Sequence, residues 1–181
     1  MLVGCAFLLI ASGFVSEVPE SVRTRLASTN EVCGVFEQIK TDASGREYAS
    51  KGEYRIRPGM DFTWRVTDPY DAVFFATPTN YVYSNEDVRV SRPLSELPHF
   101  GRMAAVSSGD YSVFFKVFDA LYREENGRFC LKAKPKDSGL SSMLERVDAE
   151  GDVGGDWALT ATFPVRGRIT VRFRDSKAET R

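Results

Sequence analysis

The sequence contains few of the residues from which metal centres and histidine-based catalytic sites are built. Its 181 residues include one histidine, His99, and three cysteines, and the cysteines lack the paired spacing that zinc sites use. The motif G-x-S-x-G, which carries the nucleophile of many acyl hydrolases, does not occur. We therefore expect no metal site, and catalysis is the less favoured function.

Charge of one sign is also lacking, because 24 Lys and Arg residues nearly balance 25 Asp and Glu residues and leave a formal net charge of -1. The basic residues are scattered along the chain, so the sequence has no electrostatic footprint for nucleic acid. It also has no internal repeat, low-complexity tract or linker. These observations predict a single domain with a sizeable apolar core and no nucleic-acid partner.

The main apolar run, LVGCAFLLIASGF at positions 2–14, is too short to be a membrane span. Its roughly 13 residues fall below the ~17–25 that a transmembrane helix needs. The run is free of charge and leads into small residues, which is typical of a secretory signal. We predict a signal peptide at 1–13 and one mature domain at 14–181. No Lys or Arg precedes the run, which leaves open a natural start upstream of Met1.

Export would make a disulfide the expected state of the remaining cysteines. Cys33 and Cys130 are left once the signal is removed, and an oxidising compartment favours their pairing. The alternative that the sequence leaves open is that both remain thiols.

Most of the mature chain alternates apolar and polar residues with a period of two, which predicts antiparallel strands with one solvated face. Tyr54 and Ile56 alternate with charged residues, and Phe62, Trp64 and Val66 alternate with polar ones. The same pattern returns at 157–163 and 169–173. Turns are predicted at 42–45, 67–71, 125–127 and 164–167. Helical character is limited to 19–28 and to a broken stretch at 93–118.

Several segments, in this order, resemble the LolA-type periplasmic lipoprotein carriers. They are CGVFEQIK (33–40), SKGEYRIRPGMDFTW (50–64) with the following Asp68-Pro69, MAAVSSGDYSVFFKVF (103–118) and RFCLKAKPKD (128–137). The resemblance covers most of the mature chain, and the cysteine in the first segment points to a divergent branch of the family.

The resemblance implies a mainly β fold with short helices, in which a half-open antiparallel β-barrel surrounds an apolar cavity beneath an α-helical lid. It implies a monomeric periplasmic carrier without a cofactor or enzymatic activity. Such a carrier shields the acyl chains of lipoproteins or related lipids, which it receives from an inner-membrane exporter and delivers to an outer-membrane receptor.

Within that frame, aromatic residues in adjacent strands are the expected lining of the cavity. We predict that Phe62, Trp64, Phe74 and Tyr83 bind lipid, although packing in an ordinary core is the alternative for each of them. The resemblance also implies that Arg57 is a latch that donates hydrogen bonds to the lid, with Arg55 as the rival for this role.

Two other classes of function stay open at the sequence level. One is an acyl hydrolase that uses His99 with Ser107, Ser108 or Asp110. The other is an envelope adaptor that binds a partner protein through an exposed sheet edge.

Overall fold

The computed structural model describes residues 31–57, 61–96, 116–152 and 155–175. These residues form strands joined by short turns, a 3₁₀ turn at Leu94–Glu96 and one short α-helix, α1, at Ser138–Ser141. The strands are β1 (Val32–Thr41), β2 (Glu47–Arg57), β3 (Asp61–Asp68), β4 (Ala72–Ala76), β5 (Asn80–Asn85), β6 (Arg89–Pro93), β7 (Phe118–Glu125), β8 (Arg128–Pro135), β9 (Arg146–Asp152), β10 (Trp157–Phe163) and β11 (Gly167–Asp175).

All the described strands belong to one open antiparallel sheet of 11 strands. Their order across the sheet is β6-β5-β4-β3-β2-β1-β11-β10-β9-β8-β7. Two meanders, β1 to β6 and β7 to β11, therefore meet where β1 pairs with β11. β6 and β7 lie at the two edges and do not pair with each other, so the sheet is not closed within the described part of the chain. The predicted mainly β, antiparallel and open architecture is confirmed.

Tight turns account for the meanders, and those predicted in the described chain are present. Asn126 and Gly127 have φ angles of 52° and 75°, the positive values that a two-residue hairpin turn requires. They join Glu125 to its partner Arg128 across β7 and β8. In the turn between β1 and β2, the Asp42 carboxylate accepts hydrogen bonds from the backbone N–H groups of Ser44 (2.8 Å) and Arg46 (3.0 Å).

The register of the sheet gives it one mainly apolar face. Phe36 lies opposite Gly52 on one side and Phe173 on the other, and Tyr54 lies opposite Trp64. We call the face that carries these side chains the apolar face, and the other the charged face. Buried residues of the apolar face form most of the core, including Phe36, Tyr54, Val66, Phe118, Phe129, Leu131, Ala133, Val147, Ala149, Trp157 and Val171.

Two glycines allow aromatic rings to lie directly on the backbone of this face. A Cβ atom on Gly52 would collide with the ring of Phe36 and the carbonyl oxygen of Arg65, and one on Gly34 would collide with the ring of Tyr54. Each glycine is the cross-strand partner of the aromatic residue that covers it. The missing side chains therefore make room for the rings of the opposite strand.

The helical predictions fall largely outside the described residues. The segment 19–28 lies outside them, as do residues 97–115 of the stretch from which a lid would be built. Within the described part, that stretch contributes the 3₁₀ turn at Leu94–Glu96 and a helical pair at residues 116–117. No helix in the described residues is long and apolar enough to cross a membrane.

The predicted disulfide between Cys33 and Cys130 is wrong for this structure. The two cysteines lie on β1 and β8 and are not bonded to each other. β11, β10 and β9 lie between these strands, so four inter-strand steps of about 4.8 Å separate them along the sheet. Bonded cysteines need Cα atoms about 4.4–6.8 Å apart.

Candidate ligand-binding face

Aromatic rings follow one another across the apolar face from β10 to β5. Trp157 stacks on Phe173 with ring centroids 3.9 Å apart, and Phe173 meets Trp64 edge-on at 6.0 Å. Trp64 also stacks on Phe36 at 3.6 Å and approaches Phe62 at 6.2 Å. The series continues from Phe62 to Phe74 at 6.4 Å and from Phe74 to Tyr81 at 5.8 Å. We call this set the aromatic row: Trp157, Phe173, Phe36, Trp64, Phe62, Phe74 and Tyr81.

Strand register explains why these rings meet. Phe36 and Trp157 are both direct cross-strand partners of Phe173, and Phe74 is the partner of Trp64. Residues directly opposite in antiparallel strands have Cβ atoms about 4.5–5.5 Å apart, which brings large rings into contact. Ring contacts of this kind stabilise the pair by about 0.5–1.5 kcal/mol beyond the area that they bury.

Exposure changes along the aromatic row. Phe36 and Trp157 are buried, at 1% and 8% exposure, and belong to the packed core. Trp64 is half-buried and packs against that core. Phe62 and Phe74 are half-buried as well, and neither belongs to the core cluster or to the residues packed on it. The β10 end of the row is therefore core, and the β3 to β5 end leaves aromatic surface accessible.

Three of the four predicted lining residues, Phe62, Trp64 and Phe74, come together in this accessible part. Tyr83 is the cross-strand partner of Phe74 on β5 and is 36% exposed, and its hydroxyl accepts a hydrogen bond from Asn85 Nδ2 at 3.4 Å. Tyr83 flanks the row. Of the two tyrosines on β5, it is Tyr81 whose ring stacks on that of Phe74. The lipid-binding role of all four residues stays a prediction.

Phe75 shows how sharply the two faces differ. It follows Phe74 in β4 and is also half-buried, but its cross-strand partners are Thr63 and Val82. Since neighbouring residues of a strand point to opposite faces, Phe75 lies on the charged face and takes no part in the aromatic row.

The predicted latch, Arg57, is bound to a neighbouring strand. Its Nε donates a hydrogen bond to Asp61 Oδ1 at 3.1 Å and its Nη2 donates to Asp61 Oδ2. The two residues are cross-strand partners in β2 and β3, and the Asp61 side chain is only 6% exposed. The hydrogen bond from Arg57 lowers the pKa of Asp61, and the same hydrogen bond raises the pKa of Arg57. The alternation of β2 places Arg57 and Arg55 on the charged face. Contact with a lid stays a prediction for both.

A trough of about 450 Å³ lies on the charged face, away from the aromatic row. The outward residues Ala158 and Thr160 of β10 are small and form its floor, together with Thr170, whose hydroxyl is 3.0 Å from that of Thr160. Long charged side chains of the adjoining strands form its walls: Lys132, Lys134, Arg146, Asp148, Glu150 and Arg172. Mixed charge of this kind does not suit a hydrocarbon chain.

The alternative catalytic set cannot be assembled from the described residues. His99, Ser107, Ser108 and Asp110 all lie outside them. Within the described ranges, no group of three or more His, Cys, Asp or Glu side chains could hold a metal ion.

Sequence reasoning missed Phe36, Phe173, Trp157 and Tyr81 as members of the row. Strand alternation places Trp157 and Phe173 on apolar strand faces, but their contact with Trp64 and Phe36 depends on the pairing of β1 with β11. A local pattern carries no information about that pairing.

Comparison with known proteins gives similar solved structures only. No protein-family model and no curated protein matches the chain. A LolA superfamily protein from Nitrosomonas europaea is 8% identical, with a TM-score of 0.43, and the match covers 89% of this chain and 93% of that one. The lipoprotein LppX from Mycobacterium tuberculosis is 11% identical, with a TM-score of 0.44 and coverages of 86% and 92%. A proposed outer membrane lipoprotein-sorting protein domain from Vibrio parahaemolyticus is 10% identical, with a TM-score of 0.40 and coverages of 86% and 87%.

These similar structures include the family that the sequence motifs resemble. Identities near one residue in ten and TM-scores below 0.5 do not establish a common function.

Proposed function

We propose that this protein is a carrier that binds acyl chains against the accessible end of the aromatic row and so shields them from water. The observation that carries the proposal is the contact of Phe62 with both Trp64 and Phe74 on one face of an open sheet, where each of the three rings remains half-buried. A core would have buried these rings, as it has buried Phe36. Clustered apolar surface left partly exposed is typical of a binding site.

The energy of acyl-chain transfer explains why such a face would be useful. Exposing one CH₂ group to water costs about 0.8 kcal/mol, so a sixteen-carbon chain costs on the order of 12 kcal/mol to leave in solution. Flat aromatic rings offer a broad apolar surface with few rotatable bonds. An acyl chain on the row would replace its contact with water by contact with the rings of Phe62 and Phe74.

In the full proposal, the protein works in the periplasm and ferries lipoproteins or related lipids from the inner to the outer membrane. An inner-membrane exporter would load it and an outer-membrane receptor would unload it. The chain would perform no bond chemistry, since binding and release of acyl chains need none. Support for this route comes from the sequence motifs and the apolar N-terminal run.

Binding is tested with purified, delipidated protein and a fluorescent fatty-acyl probe. We expect saturable binding that palmitate displaces, and we expect protein purified without delipidation to release lipid on organic extraction. Absence of both would contradict the carrier function.

Ferrying is tested separately with membrane vesicles that contain an acylated lipoprotein. The protein should release this lipoprotein into the soluble fraction and should not change the distribution of a control whose acylated cysteine is replaced by serine. Acyl binding without such release would restrict the function to lipid binding.

A further inference from the structure

Trp157 carries a polar atom for which the apolar face offers no partner. Its Nε1 is buried and has no hydrogen-bond acceptor in the described part of the chain. Other polar side chains on this face do have partners: Gln38 Nε2 donates to Ser50 Oγ at 3.3 Å, and the Tyr122 hydroxyl donates to Glu124 Oε2 at 2.8 Å.

The stacking of Trp157 does not by itself require an indole. The ring lies nearly parallel to that of Phe173, with an angle of 10° between them, and a phenylalanine could form the same kind of stack. Leaving a buried donor unpaired is unfavourable, so an indole at this position calls for an acceptor.

Trp157 lies at the buried end of the aromatic row, and the accessible rings of Phe62 and Phe74 lie toward the other end. Since Trp157 is 8% exposed, a chain that enters over the accessible rings and follows the row contacts Nε1 with its distal portion only after the packing at the β10 end opens to admit it. Hydrocarbon alone offers the indole N–H no acceptor. An ester, ketone or hydroxyl oxygen within the hydrocarbon portion would accept its hydrogen bond.

We propose that Trp157 Nε1 recognises an oxygen acceptor inside the hydrocarbon portion of the cargo, so that the protein prefers acyl chains with internal oxygen to plain saturated ones. This inference rests on the proposed acyl-binding function and adds the chemical class of the cargo. Most of the apolar face would bind the hydrocarbon of the cargo. Trp157 would bind one oxygen atom at a fixed position along the acyl chain.

The probes are stearate and a series of keto-stearates whose carbonyl lies at different positions along the chain. For the wild-type protein we expect one position to bind about tenfold more tightly than stearate, which corresponds to about 1.4 kcal/mol. Trp157→Phe, which removes the N–H and keeps an aromatic ring, should abolish this preference while stearate still binds.

Trp64→Phe is the matched control, because it makes the same change at the other tryptophan of the row. It should weaken the binding of stearate and the preferred keto-stearate by the same factor and leave the preference intact. A wild-type protein that binds stearate without preferring any keto-stearate would overturn this inference and leave the carrier function standing. Failure of the wild type to bind any of the probes would instead refute the carrier function. A preference that survives in a folded Trp157→Phe variant would also overturn the role of Trp157.

Discussion

Replacing Phe74 with glutamate puts a negative charge where we propose that acyl chains lie. The ring of Phe74 is 6.4 Å from that of Phe62 and 5.8 Å from that of Tyr81, so the substitution opens the middle of the accessible rings. A carboxylate facing hydrocarbon has no partner to replace its hydration, and it removes an apolar contact worth up to about 1.5–3 kcal/mol. We expect the affinity for a fluorescent fatty-acyl probe to fall by at least about 100-fold.

Stability should change much less, because Phe74 is half-buried and outside the core cluster. Losing part of its burial corresponds to about 1–2 kcal/mol, or a decrease in Tm of about 2–8 °C for a domain of this size. By contrast, Phe36→Ala should cost about 3–5 kcal/mol, since its ring is 1% exposed. The two variants thus separate a lining residue from a core residue.

Phe75→Glu is the matched control for Phe74→Glu. It is the same substitution one residue further along β4, at a half-buried position on the charged face. It should lose a similar amount of stability and bind the probe within about threefold of the wild type. Tm and probe affinity are measured on the same samples. A folded Phe74→Glu variant with undiminished binding, or equal loss of binding in both variants, would refute the assignment of the binding face. Unfolding of Phe74→Glu alone would place Phe74 in the core.

Two further predictions concern Asp61 and the cysteines. Arg57 lowers the pKa of Asp61 below its ordinary value of 3.8, so the ion pair stabilises the fold above that pH and is lost as the pH falls through the lowered pKa. In thermal melts, the wild type should therefore exceed Asp61→Asn in Tm near pH 7, and the difference should disappear in strong acid; a difference that grows with acidity would contradict this assignment. Mass spectrometry of a non-reduced digest should find no disulfide-linked peptide joining Cys33 to Cys130, since three strands separate them, and finding that peptide would contradict the strand order.

The strands and turns could be predicted because their signals are local. Tyr54 and Ile56 alternate with charged residues along β2, and the structure has them on the apolar face. Asn126-Gly127 forms the predicted hairpin because few residues other than glycine and asparagine tolerate its positive φ angles.

The order of the strands could not be predicted in this way. Pairing of β1 with β11 joins residues more than a hundred positions apart, such as Phe36 and Phe173, and neither strand carries a local signal for the other. The disulfide prediction failed for the same reason. The redox compartment makes a bond between two cysteines favourable, but only the strand order decides whether Cys33 and Cys130 can meet.

The candidate site was predictable only in part. Phe62 and Trp64 lie on β3 and Phe74 lies on the neighbouring β4, so their proximity follows from one local hairpin. Alternation also predicts that Phe74 and Phe75 lie on opposite faces of the sheet, but it does not decide which of the two residues lies on the apolar face. Trp157 joins the row only through β11, and its unpaired N–H becomes apparent only once the packing around it is known.

Within the described residues, the apolar face is covered differently over its two halves, and this difference separates the core from the proposed binding surface. At β8 the face is covered by α1, whose Leu140 is buried in the core. Asp137 caps the N-terminal end of α1, because its Oδ1 accepts a hydrogen bond from the Leu140 N–H at 2.9 Å. Ala133 of β8 and Ala149 of β9 belong to the same core, and their small side chains let its parts pack closely. Over β3 and β4 the face instead carries the large rings of Phe62 and Phe74, which remain outside the core cluster. A ligand bound over Phe62 and Phe74 would bury these rings, just as Leu140 of α1 covers the apolar face at β8.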